Sequence, residues 1–79
     1  MNWRDYIVSD PDVIGGKPRV KGTRLGVAFL LELFAAGWTQ DDILSSYPHL
    51  KSDDLRAVFA FAAETSEAEK VFALRRSAP

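Results

Sequence analysis

The residues best suited to bind an anion lie together in one short segment, residues 15–24, with the sequence GGKPRVKGTR. This segment holds four cations, three glycines and no acid, whereas the whole chain has a formal net charge of -1. Glycine-rich backbone brings N–H groups close to a phosphate, and lysine and arginine supply the opposite charge. The segment therefore indicates an anionic partner.

The same segment does not match the phosphate-binding loop of nucleotide-binding proteins. That loop needs Gly-Lys followed by Ser or Thr at the start of a helix, but here Gly16-Lys17 is followed by Pro18. Gly22-Thr23 has its lysine on the wrong side, and the dinucleotide pattern GxGxxG does not occur. A nucleotide site of either kind is therefore not expected.

The acidic and histidine side chains give little support for catalysis. Asp41-Asp42 and Asp53-Asp54 have the chemistry of an acid and base pair, but each pair lies in the first turn of a predicted helix, where the helix dipole accounts for it. The single histidine, His49, lies at a predicted helix end, where a capping or packing role is favoured. With one histidine and no cysteine, a metal site is not expected. We predict neither an enzyme nor a bound cofactor.

The composition is that of one small cytoplasmic domain. A chain of 79 residues with 47% apolar and 27% charged residues folds around a marginal core, so extra burial against a partner is expected. The N-terminal residues do not resemble a signal peptide, and the longest mostly apolar window, residues 27–36, is far shorter than the roughly 20 residues that span a bilayer. We expect no membrane association.

Charge is distributed unevenly along the chain. Residues 15–25 and 70–79 carry only cations, and they flank an acidic body formed by residues 26–69. Basic segments at the edges of an acidic body indicate anionic partners that bind at those edges.

The N-terminal part is predicted to form a short β-ribbon. Residues 6–8 and 19–21 are the two strands, and Gly15-Gly16 is a flexible corner between them. Pro18 lacks an N–H donor, so it confines this ribbon to an edge position. Because two short strands are only marginally stable, the ribbon must pack on helices or on a second chain.

A first helix is predicted from Val27 to a C-cap at Gly37. Its apolar stripe leaves Phe29 and Leu33 on the other side, and Glu32 is its only charge. A helix that is apolar nearly all round must be covered on two sides. This pattern favours a homodimer or another tight partner, with Phe29 and Leu33 as partner-binding residues.

Two further helices follow. Thr39 is the predicted N-cap of the second, which Pro48 ends, and Ser52 begins the cap of the third. The predicted apolar stripe of the third helix consists of Leu55, Val58, Phe59 and Ala62. Beyond a break at residues 64–67, the chain is predicted to form either a fourth amphipathic helix or a segment that folds on a partner.

The predicted fold is mainly α: a short N-terminal β-ribbon, a three-helix bundle of helix-turn-helix type, and a helical or flexible C-terminal tail. The domain is assigned to residues 1–64 and the tail to residues 65–79. A helix-turn-helix that reads DNA normally shows basic or amide side chains on its outer face. The second and third helices offer Gln40, Lys51 and Arg56 among four aspartates. A scaffold or interface role is therefore as well supported as base reading.

The order of these motifs resembles a known family. The segment IVSDPDVIGGKPRVKGTRLGVAFLLELFAAGWTQDDILSSYPHL is similar to the pattern IxxxPxIxGGKPxIxGTRIPVxxILxxLxxGxSxxxIxxxYPxL of the family of proteins of unknown function numbered 433. The resemblance covers residues 7–62. One departure is Leu25-Gly26, where the family commonly has Ile-Pro, so a more mobile joint between ribbon and helix is expected.

The resemblance implies a small dimeric helix-turn-helix protein that acts as the antitoxin of a toxin-antitoxin pair, with a PIN-like ribonuclease as the toxin. On this interpretation four ribbon cations contact operator DNA: Lys17, Arg19, Lys21 and Arg24. For the lysines a turn-forming or paired role is equally supported, and for Arg24 an ion pair with an acid of the bundle is favoured. Gln40, Lys51 and Arg56 are the remaining candidate DNA contacts.

The tail suggests how such a nuclease is inhibited. PIN-type nucleases hold metal with clustered carboxylates, and an inserted guanidinium can block such a site. Arg75 or Arg76 would do this, reached by an apolar run that contains Val71, Phe72 and Leu74; a solvated C-terminus is the alternative. Two functions of different class result: a DNA-binding antitoxin that regulates its own operon, or a dimeric interaction scaffold that does not bind DNA.

Overall fold

The computed structural model describes residues 1–64, which form a two-stranded antiparallel ribbon followed by three helices. The strands are β1 (Ile7–Val8) and β2 (Arg19–Val20); the helices are α1 (Val27–Ala35), α2 (Gln40–Ser46) and α3 (Ser52–Glu64). A single turn of 3-10 helix, Trp3–Asp5, precedes β1, and a turn with positive φ angles, Ile14–Gly16, follows it. The predicted mainly helical fold with an N-terminal ribbon is confirmed. The predicted tail lies outside the described residues.

The ribbon has hydrogen bonds on both sides of β2. Ile7 pairs with Val20 on one side. After β2 the chain turns tightly, with the N–H of Thr23 donating to the Val20 carbonyl at 3.0 Å, and Gly22 supplies the positive φ of 80° that this turn needs. On the other side of β2, the chain that follows this turn runs back along the strand, and the Val27 N–H donates to the Pro18 carbonyl at 2.9 Å. The ribbon therefore leads directly into α1.

The corner between the strands is a defined left-handed segment. Ile14, Gly15 and Gly16 all have positive φ, of 43°, 68° and 79°. Glycine adopts such angles freely, whereas a β-branched residue is strained there. The Gly16 N–H donates to the Val13 carbonyl at 3.0 Å and holds the corner in place.

The ends of α1 and α2 follow local sequence rules. Gly37 has φ 97°, its N–H donates to the Phe34 carbonyl, and the Trp38 N–H donates to the Leu33 carbonyl, which is a Schellman C-cap.

Thr39 caps α2 by accepting from the Asp42 N–H at 3.1 Å, while the Asp42 carboxylate accepts from the Thr39 N–H at 2.8 Å. This backbone hydrogen bond, helped by the Thr39 side chain, lowers the pKa of Asp42 below its ordinary value of 3.8. Both predicted caps are confirmed.

The third helix differs from its prediction in two respects. Its cap lies one residue earlier than Ser52, because the Lys51 N–H donates to the Asp54 carboxylate at 2.8 Å and Ser52 is already helical. Phe59, predicted for the core, has 46% of its surface exposed and its ring contacts Phe34 at a centroid distance of 4.8 Å. Ala57 is buried instead.

The core lies where the ribbon meets the three helices. Its largest fully buried side chains come from β2 and from every helix: Val20, Leu30, Ile43, Leu55 and Val58. Within residues 1–64, no helix combines the length and apolar character needed to cross a membrane.

Candidate functional site

Three of the four ribbon cations are presented to solvent. Lys17, Lys21 and Arg24 are exposed, and none of them forms an ion pair with an acid among residues 1–64. Lys21 lies in the tight turn after β2 and Arg24 directly follows that turn. Unpaired cations of the same sign on one ribbon produce a positive local potential. The acid partner predicted for Arg24 is not found in this part of the chain.

Arg19, and not Arg24, forms the internal ion pair that was predicted for Arg24. It is only 9% exposed, and one guanidinium nitrogen donates to the Asp10 carboxylate at 2.6 Å. A second nitrogen donates to the Thr23 carbonyl at 3.1 Å, while the buried Nε has no partner in the described structure. Arg19 therefore joins the turn after β1 to the turn after β2, and its side chain is buried rather than presented to solvent.

The candidate DNA contacts on the helices do not form a positive surface. Gln40, Lys51 and Arg56 are all exposed. The Arg56 guanidinium lies 3.7 Å from the carboxylate of Asp53, in the acidic first turn of α3. The start of α3 therefore carries no excess of positive charge.

The candidate residues for acid-base chemistry or metal binding are the single histidine and the aspartates. His49 is exposed in the middle of the connection between α2 and α3. Within residues 1–64 no group of three His, Cys, Asp or Glu side chains is placed to hold a metal ion.

An apolar groove lies beside the basic ribbon. Its cavity volume is about 780 Å³, and it runs between the first half of α1, the last part of α3 and the corner before β2. Its apolar wall includes Ile14, Pro18, Ala28, Leu31 and Phe61. The charged side chains that line it are Lys17, Arg24 and Glu32. The nearly all-apolar pattern of α1 predicted a covered surface, but the sequence did not indicate which elements would border it.

The two predicted partner-binding residues of α1 have different surroundings. Phe29 is 40% exposed, lines the groove and meets the Tyr47 ring edge-on at 6.1 Å. Leu33 is half-buried and packs on the core. The other predicted partner contacts lie outside the described residues: Val71, Phe72, Leu74, Arg75 and Arg76.

The model of the family described as "Protein of unknown function (DUF433)" matches residues 7–62, which include the ribbon, the groove and nearly all of α3. The chain belongs to this family.

A DUF433 member of known structure has the same fold, and a second relative is similar in sequence. A crystal structure at 2.00 Å of a DUF433 member protein from Anabaena variabilis ATCC 29413 superposes with a TM-score of 0.77 at 28% identity, covering 89% of this chain and 70% of that chain. The uncharacterized protein y4eO of Sinorhizobium fredii (strain NBRC 101917 / NGR234) is 34% identical over 59 residues, or 75% of this chain and 27% of the relative. The chain thus spans about a quarter of that relative's length. Neither name states a function.

The position that departs from the DUF433 pattern is structurally compatible with proline. Gly26 has φ -71° and ψ 149°, close to the values that proline adopts. Its N–H makes no hydrogen bond within the described residues. Glycine is therefore not required at this position by backbone conformation.

A cluster at the N-terminus was not anticipated from the sequence. The indole N–H of Trp3 donates to the Glu64 carboxylate at 2.7 Å, and the Trp3 ring meets Phe61 edge-on at 4.9 Å. The Arg4 guanidinium lies 4.4 Å from the centre of the Trp3 ring. Because the partners are 61 positions apart, no local pattern could have indicated this contact.

Proposed function

We propose that this protein is a DNA-binding antitoxin that acts as a homodimer, regulates its own operon and neutralises a PIN-like ribonuclease. The observation that carries the DNA-binding part is the exposure of Lys17 and Lys21 on a ribbon segment that contains no acid. Neither lysine is paired with an acid in the described structure.

The ribbon is a better phosphate-binding element than α3. Affinity for DNA comes largely from lysine and arginine side chains that neutralise phosphates and release counterions. The first turn of α3 places Asp53 and Asp54 where a recognition helix would approach the duplex. On this proposal the ribbon binds the DNA backbone, and sequence preference comes from the few polar groups near the α2–α3 connection.

The neutralising part of the proposal is supported by exposed apolar surface. Phe29, Trp38 and Phe59 are between 37% and 46% exposed. Aromatic side chains at the surface are typical of protein interfaces. In the proposed complex, Arg75 or Arg76 enters the carboxylate-rich metal site of the nuclease.

DNA binding is tested by a salt titration of the full-length protein with the duplex found upstream of its own gene, monitored by fluorescence anisotropy. The double variant Lys17→Ala with Lys21→Ala removes four phosphate contacts from a dimer, so the slope of log K against log salt should become shallower by up to about 4. Arg4→Ala is the matched control, because Arg4 is an exposed cation outside residues 15–24 that is paired with Glu64 and stacked on Trp3. An unchanged slope in the double variant would contradict the proposal.

Neutralisation is tested by co-purification from the native host, followed by mass spectrometry of proteins in stoichiometric amount. A small carboxylate-rich nuclease in fixed ratio is the expected result. In a growth-rescue assay, Arg75→Ala with Arg76→Ala should abolish protection from that nuclease, and full protection by this variant would exclude the proposed role of the tail arginines.

The second candidate function is a dimeric interaction scaffold without DNA binding. The burial of Arg19 favours it, because one of the four ribbon cations is committed to internal structure. A wild-type protein that forms stable protein complexes but shows no salt-sensitive DNA binding would identify this function.

A further inference from the structure

We propose that the groove between α1 and α3 is the homodimer interface, in which Arg24 of each copy forms an ion pair with the partner's Glu32 across a two-fold axis. This inference deepens the homodimer of the proposed function and rests on it. A second copy of the chain is the single occupant proposed for the groove.

The apolar wall supplies the reason for association. Leu31 and Phe61 are half-buried at the groove, and Ala28 beside them is exposed. Apolar surface that borders an open cavity of about 780 Å³ loses contact with water when a second surface fills it. In a chain of 79 residues, whose own core is small, this additional burial is a substantial part of the available stabilisation.

The charges in the groove select a second copy as the occupant. Glu32 is the only charge on α1, it is exposed, and it has no ion pair within residues 1–64. Arg24 lines the same groove and is equally unpaired in that part of the chain. Two opposite charges that share one groove without pairing make that surface self-complementary.

Two-fold symmetry converts this arrangement into two identical contacts. In such an interface the same patch is present on both subunits, so a cation at one position meets an anion at another position of the partner, and the reverse contact follows. Arginine suits this role because its planar guanidinium matches a carboxylate, whereas Lys17 at the groove edge carries a compact point charge suited to phosphate.

The groove lacks the features of a small-molecule site. Such sites combine an apolar lining with a few fixed polar groups that orient the ligand. Here the charged side chains among the lining residues are Lys17, Arg24 and Glu32, all exposed. Groups of this kind are better suited to pair with another protein surface.

A charge-reversal experiment on the full-length protein tests the interface. Sedimentation equilibrium gives the dimer dissociation constant for wild type, Arg24→Glu, Glu32→Arg, the double variant that carries both changes, and an equimolar mixture of the two single variants. Each single reversal places like charges together twice in the dimer, so its Kd should rise about tenfold or more. The double variant and the mixture restore opposite charges, and both should return to within about threefold of wild type.

Lys21→Glu is the matched control, since it makes the same charge change as Arg24→Glu at an exposed ribbon cation that does not line the groove. It should leave the dimer Kd unchanged while weakening DNA binding. Circular dichroism establishes that all variants keep their helical content, as expected for exposed positions.

The outcomes separate this inference from its premise. Two results would overturn the groove interface and leave the homodimer intact. In the first, the protein is a dimer and neither single reversal changes its Kd; in the second, mixing the two single variants does not lower the raised Kd. A wild-type chain that remains monomeric at every concentration would overturn the homodimer itself, and would assign the groove to residues 65–79 or to a different protein.

Discussion

At the scale of single residues, Arg19 shows how a cation in a basic segment can serve the fold. Its side chain is 11% exposed, whereas that of Asp10 is 57% exposed. The pair is therefore asymmetric: the carboxylate reaches water, and the guanidinium depends on its two internal acceptors. When Arg19 is removed, the Asp10 carboxylate stays hydrated. The loss of unfolding free energy therefore comes mainly from the guanidinium hydrogen bonds and from the packing of the Arg19 aliphatic stem.

We predict that Arg19→Ala lowers the free energy of unfolding by about 2 kcal/mol, the value of charged hydrogen bonds together with the lost stem packing. Urea denaturation at neutral pH measures this. Arg19→Lys should recover part of the loss, because a lysine keeps the charge but lacks the fork that reaches both acceptors. Lys21→Ala, an exposed cation two positions along, should change stability by less than about 0.5 kcal/mol. Equal effects of Arg19→Ala and Lys21→Ala would contradict the structural assignment.

The different roles of Arg19 and Arg24 could not be predicted from the sequence, and the reason is physical. Both arginines flank the same turn, and local patterns treat them alike. Arg19 is buried because the turn at Asp10 folds back beside β2, which is a consequence of tertiary packing. Residue chemistry predicted an anion-binding segment, but it did not predict which of its four cations face solvent.

At the scale of elements, the connection between the ribbon and α1 contains two glycines, and the backbone angle requires glycine at only one of the two positions. Gly22 has φ 80°, and a Cβ atom added there would meet nothing within 4 Å. Gly26 has φ -71°, and its added Cβ would lie 3.4 Å from the flexible end of Ile14. The first glycine is thus needed for its backbone angle, and the second is not.

We predict that Gly26→Pro stabilises the protein by about 0.5–1 kcal/mol, because the native angle suits proline, no hydrogen bond is lost and the unfolded chain has less freedom. Gly22→Ala should destabilise it by about 1 kcal/mol, since alanine is strained at positive φ. Thermal unfolding followed by circular dichroism compares both with wild type. A lower midpoint for Gly26→Pro would show that the groove side of Ile14 does not accommodate the ring.

Element boundaries were predictable where the signals are local. Thr39, Pro48 and Gly37 act through their own backbone and the next few residues, so the caps and ends of α1 and α2 agree with prediction. The face that α3 turns to the core is set by its packing against the other elements. Ala57 and Phe59 lie about 200° apart around the helix axis, and this packing buries Ala57 together with Leu55 and Val58 while it leaves Phe59 at the surface.

At the scale of the whole molecule, the turn at Trp3–Asp5 is held against the last described turn of α3. The Trp3 indole and the Arg4 guanidinium both approach Glu64, at 2.7 Å and 3.7 Å. The exposed ion pair contributes little because water screens it. The indole hydrogen bond and the edge-on contact with Phe61 provide most of the stabilisation.

We predict that Glu64→Ala lowers the free energy of unfolding by about 0.5–1 kcal/mol through loss of the indole hydrogen bond. Glu64→Gln is the matched control, because it keeps an oxygen acceptor for the indole N–H. Its loss of unfolding free energy should be less than half of the loss caused by Glu64→Ala. Chemical denaturation measures both. The assignment fails if the glutamine variant loses as much stability as the alanine variant, or if neither loses any.

The contact between Trp3 and Glu64 also determines how this domain can be connected to other chains. Because the two residues are hydrogen-bonded to each other, any segment joined before Trp3 and the segment that follows Glu64 start from neighbouring points on the surface, so a partner bound at this corner is within reach of both.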